Sequence, residues 1–170
     1  KDCLDLPDKV YTKREVELSD EQKKAYGEMK ANAMSMLNGQ SMTAVNVLTQ
    51  LIRLHQITCG HMKTDAGHTI DLSSKRIDEL IQILGETSGK VIIWANYIHD
   101  IEAIEKIIKK EFGDESCCTY YGATATEDRQ KCINKFQDPN SELRFFIGNT
   151  QTGGYGITLT EASTVIYYSN

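Results

Sequence analysis

The rhythm of hydrophobic and polar positions along this chain changes near Ser73 and divides it in two. Upstream, after an irregular start containing Pro7, Val10 to Leu18 alternates, with Val16 and Leu18 on one face, and predicts a strand. Ser19-Asp20-Glu21-Gln22 then reads as a capping box, with Ser at the cap, Gln three positions on, and two acids beside the positive helix end. The helix it opens is expected to run to about Leu37, where Asn38-Gly39 stops it. A second helix from about Ser41 carries Met42, Val45, Leu48, Leu51, Ile52 and His55 at spacings of three and four. That apolar face predicts that the two helices pair. Asp65-Ala66-Gly67, between short runs, predicts a hairpin or loop within Met62 to Asp71.

From Ser73 onward, strand patterns alternate with helix patterns, the mark of a parallel sheet covered on its faces. Ser73-Ser74 can cap a helix bearing Ile77, Leu80, Ile81 and Leu84, closed by Gly85. Val91-Ile92-Ile93-Trp94-Ala95 is an unbroken apolar run, as expected of a strand buried on both faces. A helix over Asp100–Glu111, a strand over Cys117–Tyr121, a helix from Thr126 through Ile133 and Phe136, and strands at Leu143–Gly148 and Thr164–Tyr168 complete the series. The expected fold is therefore α/β, a doubly wound parallel sheet over residues 73–170, preceded by a strand and helical extension over residues 1–72.

Composition narrows the chemistry. A formal charge of −5 excludes holding nucleic acid by bulk electrostatics, so any DNA contact has to be local and shared with other protein. No apolar run reaches the roughly 18 residues a membrane helix needs, and no membrane partner is expected. The five cysteines, Cys3, Cys59, Cys117, Cys118 and Cys132, are odd in number and form no CxxC pair. They read as reduced thiols in an intracellular, cytoplasmic setting. His55, Cys59, His61 and His68 lack the spacing of a structural zinc site, so no metal ligand is assigned. Cys117-Cys118 and Trp94 read as packing, and Lys23-Lys24 and Lys109-Lys110 as solvated helix faces. Lys75 and Arg76, at a helix start, have a slightly stronger claim to phosphate than those pairs, with solvated surface the default for them too.

Ligands of open parallel sheets gather at the carboxyl ends of the strands. The residues there are Asn96-Tyr97, Gly122-Ala123-Thr124, and Asn149-Thr150 through Gly153-Gly154-Tyr155-Gly156. All three loops offer backbone N–H groups and small polar side chains suited to phosphate. No Gly-x4-Gly-Lys-Ser/Thr phosphate loop occurs, so a complete P-loop ATPase is excluded. No GxGxxG follows the first strand of the sheet either, which disfavours a dinucleotide enzyme.

These stretches carry a resemblance. Lys90 to Tyr97 is similar to motif IV of superfamily-two helicases, Tyr121-Gly122-Ala123-Thr124 with Asp128-Arg129-Gln130 resembles the next block, and Thr150 to Thr160 resembles motif V of the Swi/Snf branch. Leu51 to Ile57 and Ser73-Ser74-Lys75 resemble segments that precede this lobe, so the likeness spans nearly the whole chain. It implies a RecA-like second motor lobe with helices on both faces of the sheet. It further implies nucleic-acid backbone contacts from Asn96, Tyr97, Gly122, Thr124, Arg129, Asn149 and Thr150, and a nucleotide-facing role for Gly154 and Gly156. Gly156 stands where many relatives outside this branch direct an Asp toward the ribose.

The resemblance implies double-stranded DNA and the first RecA-like lobe of the same protein as partners. ATP and Mg would belong to the complete two-lobe protein, with none expected on this chain alone. The family's arginine-bearing helix would begin just after Tyr168-Ser169-Asn170. Arginine fingers contribute about 10³- to 10⁵-fold to phosphoryl transfer, so the expectation is a fragment with no catalytic residue of its own, inactive as an ATPase by itself. The competing expectation is a non-catalytic α/β module that kept a motor fold for protein contacts.

Overall fold

The computed structural model describes residues 8–38, 43–64, 66–153 and 156–169. Helices α1 (Asp20–Asn38) and α2 (Ala44–Cys59) come first, then a hairpin of β1 (His61–Lys63) and β2 (Thr69–Asp71). The lobe follows as α3 (Arg76–Glu86), β3 (Lys90–Trp94), α4 (Ile98–Phe112), β4 (Cys117–Tyr120), α5 (Thr126–Gln137), β5 (Phe145–Gly148), a short helical turn α6 (Thr150–Gly153) and β6 (Ala162–Tyr167). Strands β4, β5, β3 and β6 lie side by side in that order, all parallel.

The apolar run of β3 is buried on both faces, as its sequence predicts. Val91 and Ile93 join Phe145 and Ile147 of β5 against Leu80, Leu84, Ile101, Ile104 and Ile108 of α3 and α4. Ile92 and Phe146 point the other way, into a second cluster with Tyr120, Cys132, Phe136 and Leu143. Complete burial of such side chains stabilises by about 1.5–3 kcal/mol each, so β3 and β5 anchor both layers.

The capping box forms as read. Gln22 donates its backbone N–H to Ser19 Oγ (3.1 Å), and the Ser19 N–H donates to Gln22 Oε1 (3.0 Å). The other end of the same side chain reaches across, with Gln22 Nε2 donating to the carbonyl oxygens of Ile57 (2.8 Å) and Thr58 (3.3 Å), and so ties α1 to the end of α2. Gly60 ends α2 in the left-handed region at φ 98°, with its N–H on Gln56 and Ile57 carbonyls. A Cβ there would stand 2.8 Å from Ser74 Cβ. The expected stop at Gly39, and Ser41 and Met42 of the second helix, lie outside the described residues.

Three expectations are corrected. Val10–Leu18 forms no strand, because no described strand lies beside it to take its hydrogen bonds; Val10 and Tyr11 are 87 % and 88 % exposed. The segment is fastened instead by Arg14, which pairs with Glu86 at 2.8 Å. The apolar face read on α2 does not pack on α1, since Val45, Leu48, Leu51 and Ile52 are exposed. The helices do pair, but α2 enters the interior through Ile57 and Cys59 at its C-terminal end. Finally, Cys118 and Cys132 are joined in a disulfide, with Cα atoms 5.8 Å apart, where reduced thiols were expected. The count of cysteines along the chain does not reveal that β4 and α5 set this pair within bonding reach. Cys59 and Cys117 are free and buried.

Candidate nucleic-acid-facing edge

Parallel order places the carboxyl ends of β4, β5 and β3 on one rim, and Asn149 knits them together. Its backbone N–H donates to the Tyr120 carbonyl at the end of β4 (3.0 Å). Its side-chain amide donates to the carbonyls of Asn96 (2.9 Å) and Ala95 (3.3 Å) at the end of β3. Its Oδ1 accepts the Gln151 N–H (2.9 Å), which starts the turn of α6. Thr150 Oγ1 then donates to Asn96 Oδ1 at 3.0 Å. Asn96, Asn149 and Thr150 are therefore one connected, half-buried group, with no strong charge among them. With the Thr150 and Asn149 side-chain protons given within the rim, the Asn96 side-chain amide is the neutral donor it presents, of a kind that suits a phosphate oxygen without regard to base sequence.

Gly122, Thr124 and Arg129 form a second group on the same rim, linked to the first through Tyr120. Thr124 Oγ1 accepts the Tyr121 N–H (3.2 Å), closing the turn. Arg129 donates to the carbonyls of Tyr121 and Gly122 (2.9 Å each) and lies over the Tyr120 ring at 5.5 Å. Its guanidinium thus holds the turn. Beside it opens a recess of about 470 Å³ whose lining includes Glu105 and Asp128. Carboxylates there disfavour a polyanion, whereas the Asn96–Thr150 side carries no charge.

Tyr97 is not turned to this rim. Its hydroxyl meets His55 Nδ1 at 2.8 Å and its ring stands edge-on to His61, against the helical extension. Burial, with Cys59 and Asp100 nearby, pushes its pKa up to about 12, so it stays a neutral phenol. Arg76 is likewise engaged, donating to the Tyr168 carbonyl (2.9 Å) and stacking over the Tyr168 ring, which gives it a structural duty rather than a phosphate one. Lys75 is exposed. Burial raises the thiols of Cys59 and Cys117 to about 11, against any role as thiolate nucleophile or ligand. Among the described residues, no group of three or more His, Cys, Asp or Glu can hold a metal ion.

Trp94 explains two glycines. A Cβ on Gly148 would come within 2.5 Å of its ring, and one on Gly153 within 2.7 Å. The indole, partly buried, lies against the β5–α6 turn and packs on the cluster around Phe146. Gly156 adopts φ 81° with open space around it, so glycine is required there by backbone conformation. Gly154 lies outside the described residues.

Two residues on this edge escaped the sequence reading. Ser169, just after β6, accepts the Asn96 N–H on its hydroxyl (2.9 Å), and donates to buried Asp100 (3.1 Å). The signals were present: Ser169 follows a strand as Asn96 and Asn149 do, and Asp100 adjoins the apolar stripe of α4 at Ile101, Ile104 and Ile108.

Residues 75–170, more than half of the chain, match the helicase conserved C-terminal domain, and the chain belongs to that family. Within it, this is a Swi/Snf-type superfamily-two C-terminal lobe with a RecA-like α/β fold. The Sulfolobus solfataricus SWI2/SNF2 ATPase core domain superposes with a TM-score of 0.76 at 29 % identity, covering 98 % of this chain and 35 % of that one. The C-terminal domain of the ATPase from the same organism gives 0.72 at 26 % identity, covering 89 % of this chain and 68 % of that one. An ATP-dependent helicase of Mycoplasma genitalium is 26 % identical over 168 residues, 96 % of this chain and 16 % of the relative. The human SWI/SNF-related actin-dependent chromatin regulator, subfamily A member 1, is 27 % identical over 182 residues, 97 % of this chain and 17 % of the relative. The chain thus spans less than a fifth of the length of these two relatives.

Proposed function

We propose that this chain is part of a longer ATP-dependent DNA translocase, in which it supplies contacts to the backbone of double-stranded DNA and one wall of an ATP cleft closed by a first RecA-like lobe. The observation that carries this is the convergence of Asn96, Asn149 and Thr150 on one rim, joined by hydrogen bonds of 2.9–3.0 Å. With the Thr150 proton on Asn96 Oδ1 and the Asn149 amide protons on the Ala95 and Asn96 carbonyls, the donor they hold toward a phosphate is the Asn96 side-chain amide, which would meet it without regard to sequence, as a motor that steps along any duplex requires. Gly156, and Gly154 with it, would let the backbone approach the nucleotide, with ATP and Mg bound between the lobes. Chemistry at the γ-phosphate would come from groups outside this chain, so the chain alone does not hydrolyse ATP.

The test is ATP turnover by a protein carrying this lobe and its partner lobe, measured with and without duplex DNA. Stimulation by DNA supports the proposal, and equal rates in both conditions contradict it. The exposed apolar stripe of α2 favours a second reading, a module kept for protein contacts. That reading predicts no turnover in either condition.

A further inference from the structure

A carboxylate buried as deeply as Asp100, at 2 % exposure, is costly unless every oxygen has a partner. Asp100 sits in the first turn of α4, where the helix end favours negative charge. Its Oδ2 accepts the hydroxyl of Ser169 (3.1 Å), and its Oδ1 lies 3.1 Å from Nδ1 of His61, itself buried in β1 of the extension. The latter contact has the distance of an ion pair without the alignment of a hydrogen bond. A serine hydroxyl has one proton. Having given it to a carboxylate, Ser169 has only lone pairs to offer the Asn96 N–H, so the direction of the chain from Asn96 through Ser169 to Asp100 is fixed.

We propose that Asp100 and Ser169 are positioning residues that set Asn96 on the nucleic-acid rim and, through His61, couple that rim to the helical extension. The Asn96–Tyr97 segment is gripped from two sides. Ser169 holds its backbone, and the extension holds the Tyr97 side chain, with His61 edge-on to the ring at 5.1 Å and His55 on the hydroxyl at 2.8 Å. Asn96 is thereby placed to accept the Thr150 hydroxyl, and a shift of β1 or α2 passes directly to the residue that meets DNA. The DNA half of this inference rests on the function proposed above.

Amide exchange and duplex-DNA affinity, measured on the two-lobe protein, test it. Ser169→Ala and Asp100→Ala are expected to speed exchange at Asn96 while leaving Val91–Ile93 of β3 protected. Each should also weaken DNA binding roughly three- to tenfold, the span set by loss of one net hydrogen bond. Asp100→Asn retains an oxygen that can accept from Ser169, and should preserve protection at Asn96. Unchanged protection at Asn96 in Ser169→Ala overturns the positioning role, faster exchange with unchanged DNA affinity overturns its link to DNA, and unchanged protection at Asn96 in His61→Ala overturns the coupling to the extension. If the unsubstituted protein binds no DNA, the functional reading fails and the coupling to DNA falls with it. Exchange at Asn96 then still decides whether Ser169 and Asp100 position that residue.

Discussion

Along β5 the chain buries Phe145, Phe146 and Ile147 completely, whereas along α2 it leaves Val45, Leu48, Leu51 and Ile52 at 71, 59, 57 and 43 % exposure. Both segments are apolar, yet one builds a core between two helical layers and the other faces outward. In the sheet lobe, β3 and β5 are covered by α3 and α4 on one face and by α5 on the other. The extension is fastened by Ile57 and Cys59, buried at the end of α2, together with polar links, the Gln22 amide and the His55–Tyr97 and His61–Asp100 contacts. Apolar periodicity thus says that a face wants cover, and only tertiary structure says whether this stretch of chain provides it.

Substitutions that separate the two regions sharpen the contrast. Phe146→Ala, which empties a site packed by Tyr120, Trp94 and Phe136, is expected to cost about 3–5 kcal/mol in urea unfolding of the whole chain. Gln22→Ala removes the side-chain bonds to the Ser19 N–H and to the Ile57 and Thr58 carbonyls, leaving the Ile57 carbonyl only the Gly60 N–H, and should cost about 1–3 kcal/mol, with amide protection lost in α1 and α2 but kept in β3. An equal loss of protection in β3 would show that the two regions unfold as one. Leu48→Ser should change stability by less than about 0.5 kcal/mol, since its side chain is already in water.

Acid should loosen the extension before the sheet. Burial, reinforced by the Arg76 charge and by His61 and opposed by Asp100, holds the His55 imidazole below its ordinary pKa. The folded state therefore binds fewer protons there than the unfolded one. The stability this contributes is present above about pH 6.5 and is lost as the pH falls toward the lowered folded value. Protection of α2 amides should drop as pH is lowered from 7 to 5, and His55→Gln should remove that dependence. An unchanged drop in His55→Gln would assign it to another group.

Much of the lobe was legible because strand and helix periods differ and each strand ends in a polar, glycine-bearing turn. Val91–Ala95 announced a central strand by its unbroken apolar run, and Asn96 and Thr150 announced the rim by position alone. What stayed hidden depends on contacts between distant residues. Nothing in Val10–Leu18 reveals that no neighbouring strand awaits it, and nothing in the spacing of Cys118 and Cys132 reveals that β4 and α5 bring them together. Tyr97 bonds His55 and Arg129 the Tyr121 and Gly122 carbonyls, partners that neither residue's own motif reveals.

The most direct measurement is the affinity of the two-lobe protein for duplexes of unrelated sequence, with and without Thr150→Ala. A backbone contact made by an Asn96 amide that Thr150 holds in place predicts that the substitution weakens binding by roughly three- to tenfold, and equally for every duplex. Binding unchanged by Thr150→Ala, or weakened for one sequence only, would contradict a backbone-holding rim built on Asn96, Asn149 and Thr150.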